Sequence, residues 1–347
     1  MHDAVVLLMG RDRPVELPVW RSFWDRLHAG KLQRGEGAAL LASLATRMPD
    51  RTTVRALLAS LAERRPELPA HSFAGAVNVV GTGGGPPTFN ISTAAAFTAA
   101  AMGVPVVKTG SRAYTGTCGS LDLLEQLGIA PTTSYAHTED MLGRHNIAFT
   151  GYFVYPREIA RLARAVAPLD MRRLGSFINA LGPFLAGVPV GAQVTGVSRA
   201  RNLEALGHAA AHVSREAGRS VWLVDNDAGA DELLSFAANR VRAFEDGSDS
   251  TFTLSPGALG LGPGTLAGLS RPEGGAREAA ELFLEVLAGR CAPVVRETVC
   301  LNAAALAVAG RVTGDWHRAL RSAEAALRDG AALELVERLR AREVQNV

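Results

Sequence analysis

The sequence predicts an α/β protein in which a small N-terminal helical domain packs on a larger α/β domain with a central, mostly parallel sheet. Three observations carry this expectation. Apolar residues recur at helical spacing through the first 70 positions, β-branched runs alternate with helix-like segments from Gly75 to about Val154, and strand candidates resume after a helical interruption. The expected division is residues 1–70 with about 157–187 as the helical domain, and 71–156 with about 188–347 as the α/β domain.

In chain order, Trp20, Phe23, Trp24 and Leu27 fall at i, i+3, i+4 and i+7, and Val54, Leu57, Leu58 and Leu61 repeat that spacing, so each set forms one apolar stripe of a helix. The runs AVNVV, VPVVK and IAFTGYFV then read as strands, separated by the helix-like STAAAFTAAAMG and SLDLLEQLG. Ile159, Leu162, Ala163 and Val166 mark a helix with those four residues on one side. AQVTGV and VWLVD are further strand candidates. The Gly- and Pro-rich stretch at 255–275 predicts a long surface loop. Trp316, Ala319, Leu320, Ala323 and Leu327 mark a late amphipathic helix, and Leu333, Val336 and Leu339 a last one.

With 347 residues, 48% hydrophobic and 20% charged, the chain can bury a sizeable core. A net charge of +2 gives no nucleic-acid footprint. Cys118, Cys291 and Cys300 contain no CxxC pair, which argues against a disulfide framework or a zinc site. No stretch approaches a membrane span, and the N-terminal residues lack a basic leader. The expectation is a cytoplasmic protein.

The chemistry concentrates in three segments that follow predicted strands. In VVGTGGGPPTFNIST, residues 79–93, glycines stand between a strand and a helix that opens with Ser and Thr. That arrangement gathers backbone N–H groups and a helix dipole where a phosphate can sit. Gly81, Gly83, Gly84 and Gly85 allow close approach, yet neither a P-loop nor a dinucleotide fingerprint fits, because a proline pair follows the glycines. KTGSRAYTGTCGSLD, residues 108–122, lies at the same carboxyl edge in a parallel sheet. It supplies Lys108 and Arg112 as cations and Thr115, Thr117 and Ser120 as hydroxyls. Together the two loops suit a ligand with several phosphates. In VDNDAGADELL, the adjacent Asp231 and Glu232 read either as magnesium ligands bridging to phosphates or as an acidic helix start.

These segments closely resemble the anthranilate phosphoribosyltransferase family, whose motifs run approximately GTGGDxxxTFNIST, KHGNR and GSxDxLExLG. INALGPF at 178–184, GADEL at 229–233 and CLNAAALAVAG at 300–310 extend the resemblance over nearly the whole chain. The resemblance implies transfer of a phosphoribosyl group from phosphoribosyl pyrophosphate (PRPP) to an acceptor nitrogen, with inversion at the anomeric carbon and loss of pyrophosphate. It implies donor contacts from Gly81, Thr82, Gly83, Gly84, Asn90, Ser92, Thr93, Lys108, Thr117 and Ser120. It also implies Mg2+ held by Asp231 and Glu232 with Ser92, and a homodimer formed through the helical domain. A pyrimidine-nucleoside phosphorylase is the alternative suggested by GSRAYTGTCGSLDLLE, and a non-catalytic nucleic-acid-binding relative is a third.

The departures fall on the acceptor side. Thr109 and Ser111 replace the family His and Asn, and Gly85 replaces the acid of GTGGD. Asp170 stands where the family arginine grips the anthranilate carboxylate, with Arg172 and Arg173 just beyond. Tyr114 and Tyr155 are candidates to stack on an acceptor ring. The expected acceptor is therefore a small aromatic or heteroaromatic molecule, anthranilate or an analogue.

Overall fold

The computed structural model describes residues 1–69, 73–112, 118–169 and 171–340. Four helices, α1 (Asp3–Gly10), α2 (Leu17–His28), α3 (Glu36–Thr46) and α4 (Arg51–Ala62), open the chain. The predicted stripes are buried: Trp20, Phe23 and Trp24 of α2 meet Leu57 and Leu61 of α4, and the two tryptophan rings stack at 5.9 Å. Full burial of a side chain such as Leu57 contributes roughly 1.5–3 kcal/mol. Asp50 caps α4 by accepting from the Thr53 N–H at 3.0 Å, satisfying one of its orphan donors.

The alternation follows: β1 (Phe73–Gly81), α5 (Ile91–Ala101), β2 (Val106–Lys108), α6 (Ser120–Gln126), α7 (Tyr135–His145) and β3 (Ile147–Phe149). The run IAFTGYFV is strand only to Phe149, and its remainder becomes a 3-10 turn at Tyr152–Val154. Next come α8 (Arg157–Val166), α9 (Met171–Leu174), α10 (Ser176–Leu185), β4 (Val190–Gly196), α11 (Leu203–Ala217) and β5 (Ser220–Asn226). Then β6 (Asn239–Glu245) and β7 (Ser248–Leu254) precede α12 (Ala276–Leu287), α13 (Pro293–Ala309), α14 (Trp316–Arg328) and α15 (Ala331–Arg340).

The sheet order is β3-β2-β1-β4-β5-β6-β7, parallel through β5 and antiparallel beyond. The final hairpin departs from a purely parallel reading, and its signal is the Asp246-Gly247 pair. Both residues have positive φ, 48° and 80°, as a two-residue turn between antiparallel strands demands. The loop at 255–275 returns to the sheet edge, where Phe89 N–H donates to the Leu269 carbonyl at 3.0 Å and Leu269 is fully buried.

Alternation along the strands sends Val77, Val79, Ala192 and Val194 to one core with α5 and α13. Asn78, Gln193 and Thr195 face the other way and form a buried polar ladder. Asn78 Nδ2 donates to Gln193 Oε1 at 3.4 Å, and Gln193 Nε2 donates to Thr195 Oγ1 at 2.9 Å. A second core joins α2, α4, α8, α10 and α11 to Val221 and Leu223 of β5. In α8 the buried residues are Glu158, Leu162 and Val166; Ile159 and Ala163 are only partly buried and line a cavity, so the stripe is rotated from its expected position.

Candidate active site

Parallel sheets offer a ligand crevice where the chain direction of crossovers reverses, and here that point is between β1 and β4, at their carboxyl ends. A cavity of ≈ 1090 Å³ opens there. Gly81 and Gly196 are register partners at the ends of these two strands. A Cβ on Gly81 would strike the Asp231 carboxylate, and one on Gly196 the Asp231 backbone. The absence of side chains at both positions thus admits the Asp231–Glu232 segment as well as any ligand.

Gly83 and Gly84 adopt left-handed φ of 67° and 78°, turning the chain toward α5. Gly83 N–H donates to Asp231 Oδ2 at 2.7 Å, and Ser198 Oγ donates to the Gly83 carbonyl at 2.6 Å. Asn90 occupies the N-cap of α5 without a side-chain cap bond, so its amide group and the open helix end both face the cavity. Gly85 packs against the Gly229 carbonyl; a Cβ there would lie 2.7 Å from that oxygen, leaving no room for an acid.

Lys108, at the end of β2, is 3% exposed and donates to the Val79 carbonyl at 2.9 Å and to Ser92 Oγ at 3.3 Å. Burial pushes its ammonium down to about 8, while the charges of Asp231 and Glu232 oppose the shift. Burial raises the carboxyl of Asp231 and raises Glu232 further, since Glu232 also faces the Asp231 charge. Thr88 Oγ1 donates to Glu232 Oε1 at 3.3 Å, but Glu232 Oε2 is buried with no partner. The segment is not a helix start. It is a loop held by Asn226, which donates to the Glu232 carbonyl at 2.9 Å, and by Asn302, which accepts from the Leu233 N–H at 3.1 Å.

An anion bound at Lys108 draws on its positive charge, which is lost as pH rises through the lysine's folded value. Affinity for such an anion is therefore expected to weaken above about pH 8. A binding constant measured from pH 6.5 to 9.5 checks this, and a flat profile would remove Lys108 from the ligand contacts.

The cavity gathers most of the residues singled out in the sequence: Gly81, Thr82, Gly83, Gly84, Asn90, Ser92, Lys108 and Ser120, together with Thr109, Ser111 and Tyr155, and Asp231 with Glu232. Thr93 is buried behind the wall with its hydroxyl unpartnered, and Arg173 is exposed outside the cavity lining. Tyr114, Thr117 and Asp170 lie outside the described residues. Arg112 lines the cavity but is paired with Asp122 at 3.0 Å and Glu125 at 2.7 Å.

Thr109 N–H donates to Asn78 Oδ1 at 3.0 Å and its Oγ1 accepts from Asn78 Nδ2 at 3.1 Å, beside the Tyr155 phenol. Burial pushes that phenol up to about 12, so it stays protonated. Sequence reasoning missed Tyr152, Arg199 and Arg271. Tyr152 is 55% exposed in the cavity, and its hydroxyl accepts from the Arg112 N–H at 3.1 Å. Arg199 follows β4 at the carboxyl edge and lies over Gly84, where a Cβ would be 3.3 Å from its guanidinium. Its place after a strand end was the available signal.

A glycine turn, an open helix terminus, a buried lysine and a carboxylate pair around one crevice define a group-transfer site for an anionic donor. Residues 74–333 match the family described as glycosyl transferase family, a/b domain. The chain is 32% identical over 347 residues to the anthranilate phosphoribosyltransferase of Desulfitobacterium hafniense, with 98% of each chain covered. It is 36% identical over 269 residues to that of Methylocella silvestris, covering 77% of this chain and 74% of the relative. Among solved structures, the anthranilate phosphoribosyltransferase of Thermus thermophilus superposes with a TM-score of 0.79 at 29% identity, covering 98% of each chain. The Saccharomyces cerevisiae enzyme in complex with PRPP and Mg gives 0.80 at 21%, covering 99% of this chain and 98% of that one. The fold and site are those of a pentosyl-transferring glycosyltransferase. Within that class, the chain belongs to the anthranilate phosphoribosyltransferase family.

Proposed function

We propose that the protein transfers the 5-phosphoribosyl group of PRPP to the amine of anthranilate or a related aromatic acceptor and releases pyrophosphate. The observation that carries this reading is the meeting of Lys108, the Gly83–Gly84 turn and the Asp231–Glu232 pair in one cavity. In the reaction the acceptor nitrogen donates its electron pair to the anomeric carbon as the bond from that carbon to the pyrophosphate oxygen breaks. The attached nitrogen then loses its proton. The ribosyl centre becomes oxocarbenium-like, so the site must stabilise leaving-group charge and align the acceptor. Lys108, Asn90 and the amino end of α5 hold the pyrophosphate. Tyr152 and Tyr155 flank the acceptor side.

The residues fit a magnesium ion. No cluster of three or more His, Cys, Asp or Glu suited to a metal occurs among the described residues, but magnesium uses one or two carboxylates and completes its shell with water and phosphate. Asp231 and Glu232 supply such a pair, and the unpartnered Glu232 Oε2 is the oxygen a dication would satisfy. Ser92 completes the proposed ligand set. An ion held by these residues would supply positive charge to offset that of the pyrophosphate.

No helix among the described residues is long and apolar enough to cross a membrane. The reading includes a reducing cytoplasm, in keeping with the three free thiols, and a homodimer through the helical layer, where Met1, Val6 and Met9 are exposed. The test is pyrophosphate release from PRPP and Mg2+ over a panel of aromatic amines. Release that requires an acceptor is the expected result. Absence of both release and donor binding, or phosphorolysis of a pyrimidine nucleoside instead, overturns the proposal.

A further inference from the structure

The acceptor side of the cavity carries more positive charge than one benzoate carboxylate requires. In α8, Arg157, Arg161 and Arg164 fall at i, i+4 and i+7, on one face, and all three line the cavity with Ala160 between them. The opposite face, Leu162 and Val166, is sealed into the helical core, so the arginine face cannot rotate away. Arg157 and Arg164 are exposed at the cavity wall, and neither forms an ion pair among the described residues. Arg161 is held by Glu158, whose Oε1 accepts from Nη1 at 2.8 Å and which is itself 4% exposed.

Helix stability accounts for Arg164, a cation in the last turn, and for Arg161, paired with Glu158, but not for Arg157. Arg157 occupies the first turn of α8, where the helix dipole disfavours a cation. With Arg161 compensated by Glu158, Arg157 and Arg164 are the two cations of this face left to meet an anion. The chain enters α8 directly from Tyr152 and Tyr155, which line the cavity with Thr109, so Arg157 stands beside the proposed acceptor subsite. Arg157 and Arg164 are about 10 Å apart along the helix axis, at ~1.5 Å per residue. The face therefore extends cationic reach along the cavity wall, away from the tyrosines, where a second anionic group of the acceptor could be met.

We propose that the natural acceptor carries at least two anionic groups, with the α8 arginine face binding the one remote from the reacting nitrogen. This inference rests on the phosphoribosyl-transfer reading and specifies its acceptor class. Guanidinium groups pair with carboxylate or phosphate in two-pronged fashion, which an ammonium cannot reproduce.

The test compares anthranilate with 4-aminoisophthalate, which is anthranilate bearing a second carboxylate para to the amine. Calorimetric binding to the full chain with Mg2+ and pyrophosphate needs no turnover, so it is read separately from catalysis. The wild-type protein is expected to bind the dicarboxylate about tenfold more tightly at low salt, the scale of one added charge-assisted pair. The Arg157→Gln/Arg164→Gln variant should lose that preference, and Arg157→Lys/Arg164→Lys should recover part of it. Equal affinity for the two ligands in the wild type overturns the proposal, as does a preference unchanged in the glutamine variant. A loss of PRPP affinity with the preference intact also overturns it, by assigning these guanidinium groups to the donor. Selective dicarboxylate binding without pyrophosphate release from either amine sinks the transferase reading and leaves an anionic-ligand site. Turnover of anthranilate with no dicarboxylate preference does the reverse.

Discussion

Replacing Glu232 with glutamine is expected to make the protein more stable at neutral pH while lowering turnover by about 10²–10³-fold, the scale for losing one group that stabilises developing charge. The two effects have one cause. Burial raises the Glu232 carboxyl well above its ordinary value, with the neighbouring Asp231 charge adding to the shift. A carboxyl whose folded value is raised binds more protons in the native state, so stability falls as pH rises from the unfolded value through the folded one. Glutamine mimics the protonated form and removes that penalty. Wild-type stability should therefore decline between acidic and neutral pH more steeply than that of Glu232→Gln. Losing the Glu232 charge also removes one of the influences holding Lys108 up, so the alkaline weakening of anion binding should begin at lower pH in the variant. Denaturation at several pH values together with turnover at saturating Mg2+ measures both effects. Undiminished turnover would separate Glu232 from the metal and the chemistry.

Gly196→Ala is expected to damage the site from the opposite direction. The new Cβ points into the backbone of Asp231, and neither side can yield easily: Gly196 is locked between β1 and β5, and the Asp231 loop is pinned by Asn226 and Asn302. Overpacking of this kind typically costs about 1–3 kcal/mol. The larger consequence is displacement of both carboxylates from Gly83 and Lys108, with loss of Mg2+-dependent PRPP binding. A variant with wild-type melting temperature and donor affinity would show that the two strands do not set the position of the carboxylates.

The parts of this architecture legible from sequence are those in which one physical rule acts alone. The stripes of α2 and α4 read correctly because helical period and burial coincide. The 79–93 segment was recognisable because small residues, a strand before it and a helix after it all point to one turn. The β6–β7 hairpin was missed because NRVRAFE interleaves arginines with apolar residues and SDSTFTL opens with four polar residues, so neither is an apolar run, and the turn signal is only Asp-Gly. The α8 stripe was rotated because Ile159 and Ala163 are apolar but line a cavity, while the charged Glu158 is buried to hold Arg161. Arg199 had a signal in its place after a strand end, whereas Arg271 had none: it reaches the cavity because a distant loop returns beside Pro87, and the local sequence does not encode that return.

The Gly83–Asp231 hydrogen bond joins residues 148 positions apart, and Thr88 reaches Glu232 across 144. Closing loops of that length is entropically slow, and native contacts of high sequence separation form late in folding. The glycine motif is synthesised long before Ser198 and Asp231, the two residues that hold Gly83, so the site can be complete only after β4, β5 and the acidic loop are in place. A chain lacking the segment from β4 to the acidic loop would therefore leave Gly83 without either of these hydrogen bonds, even with its most recognisable motif present.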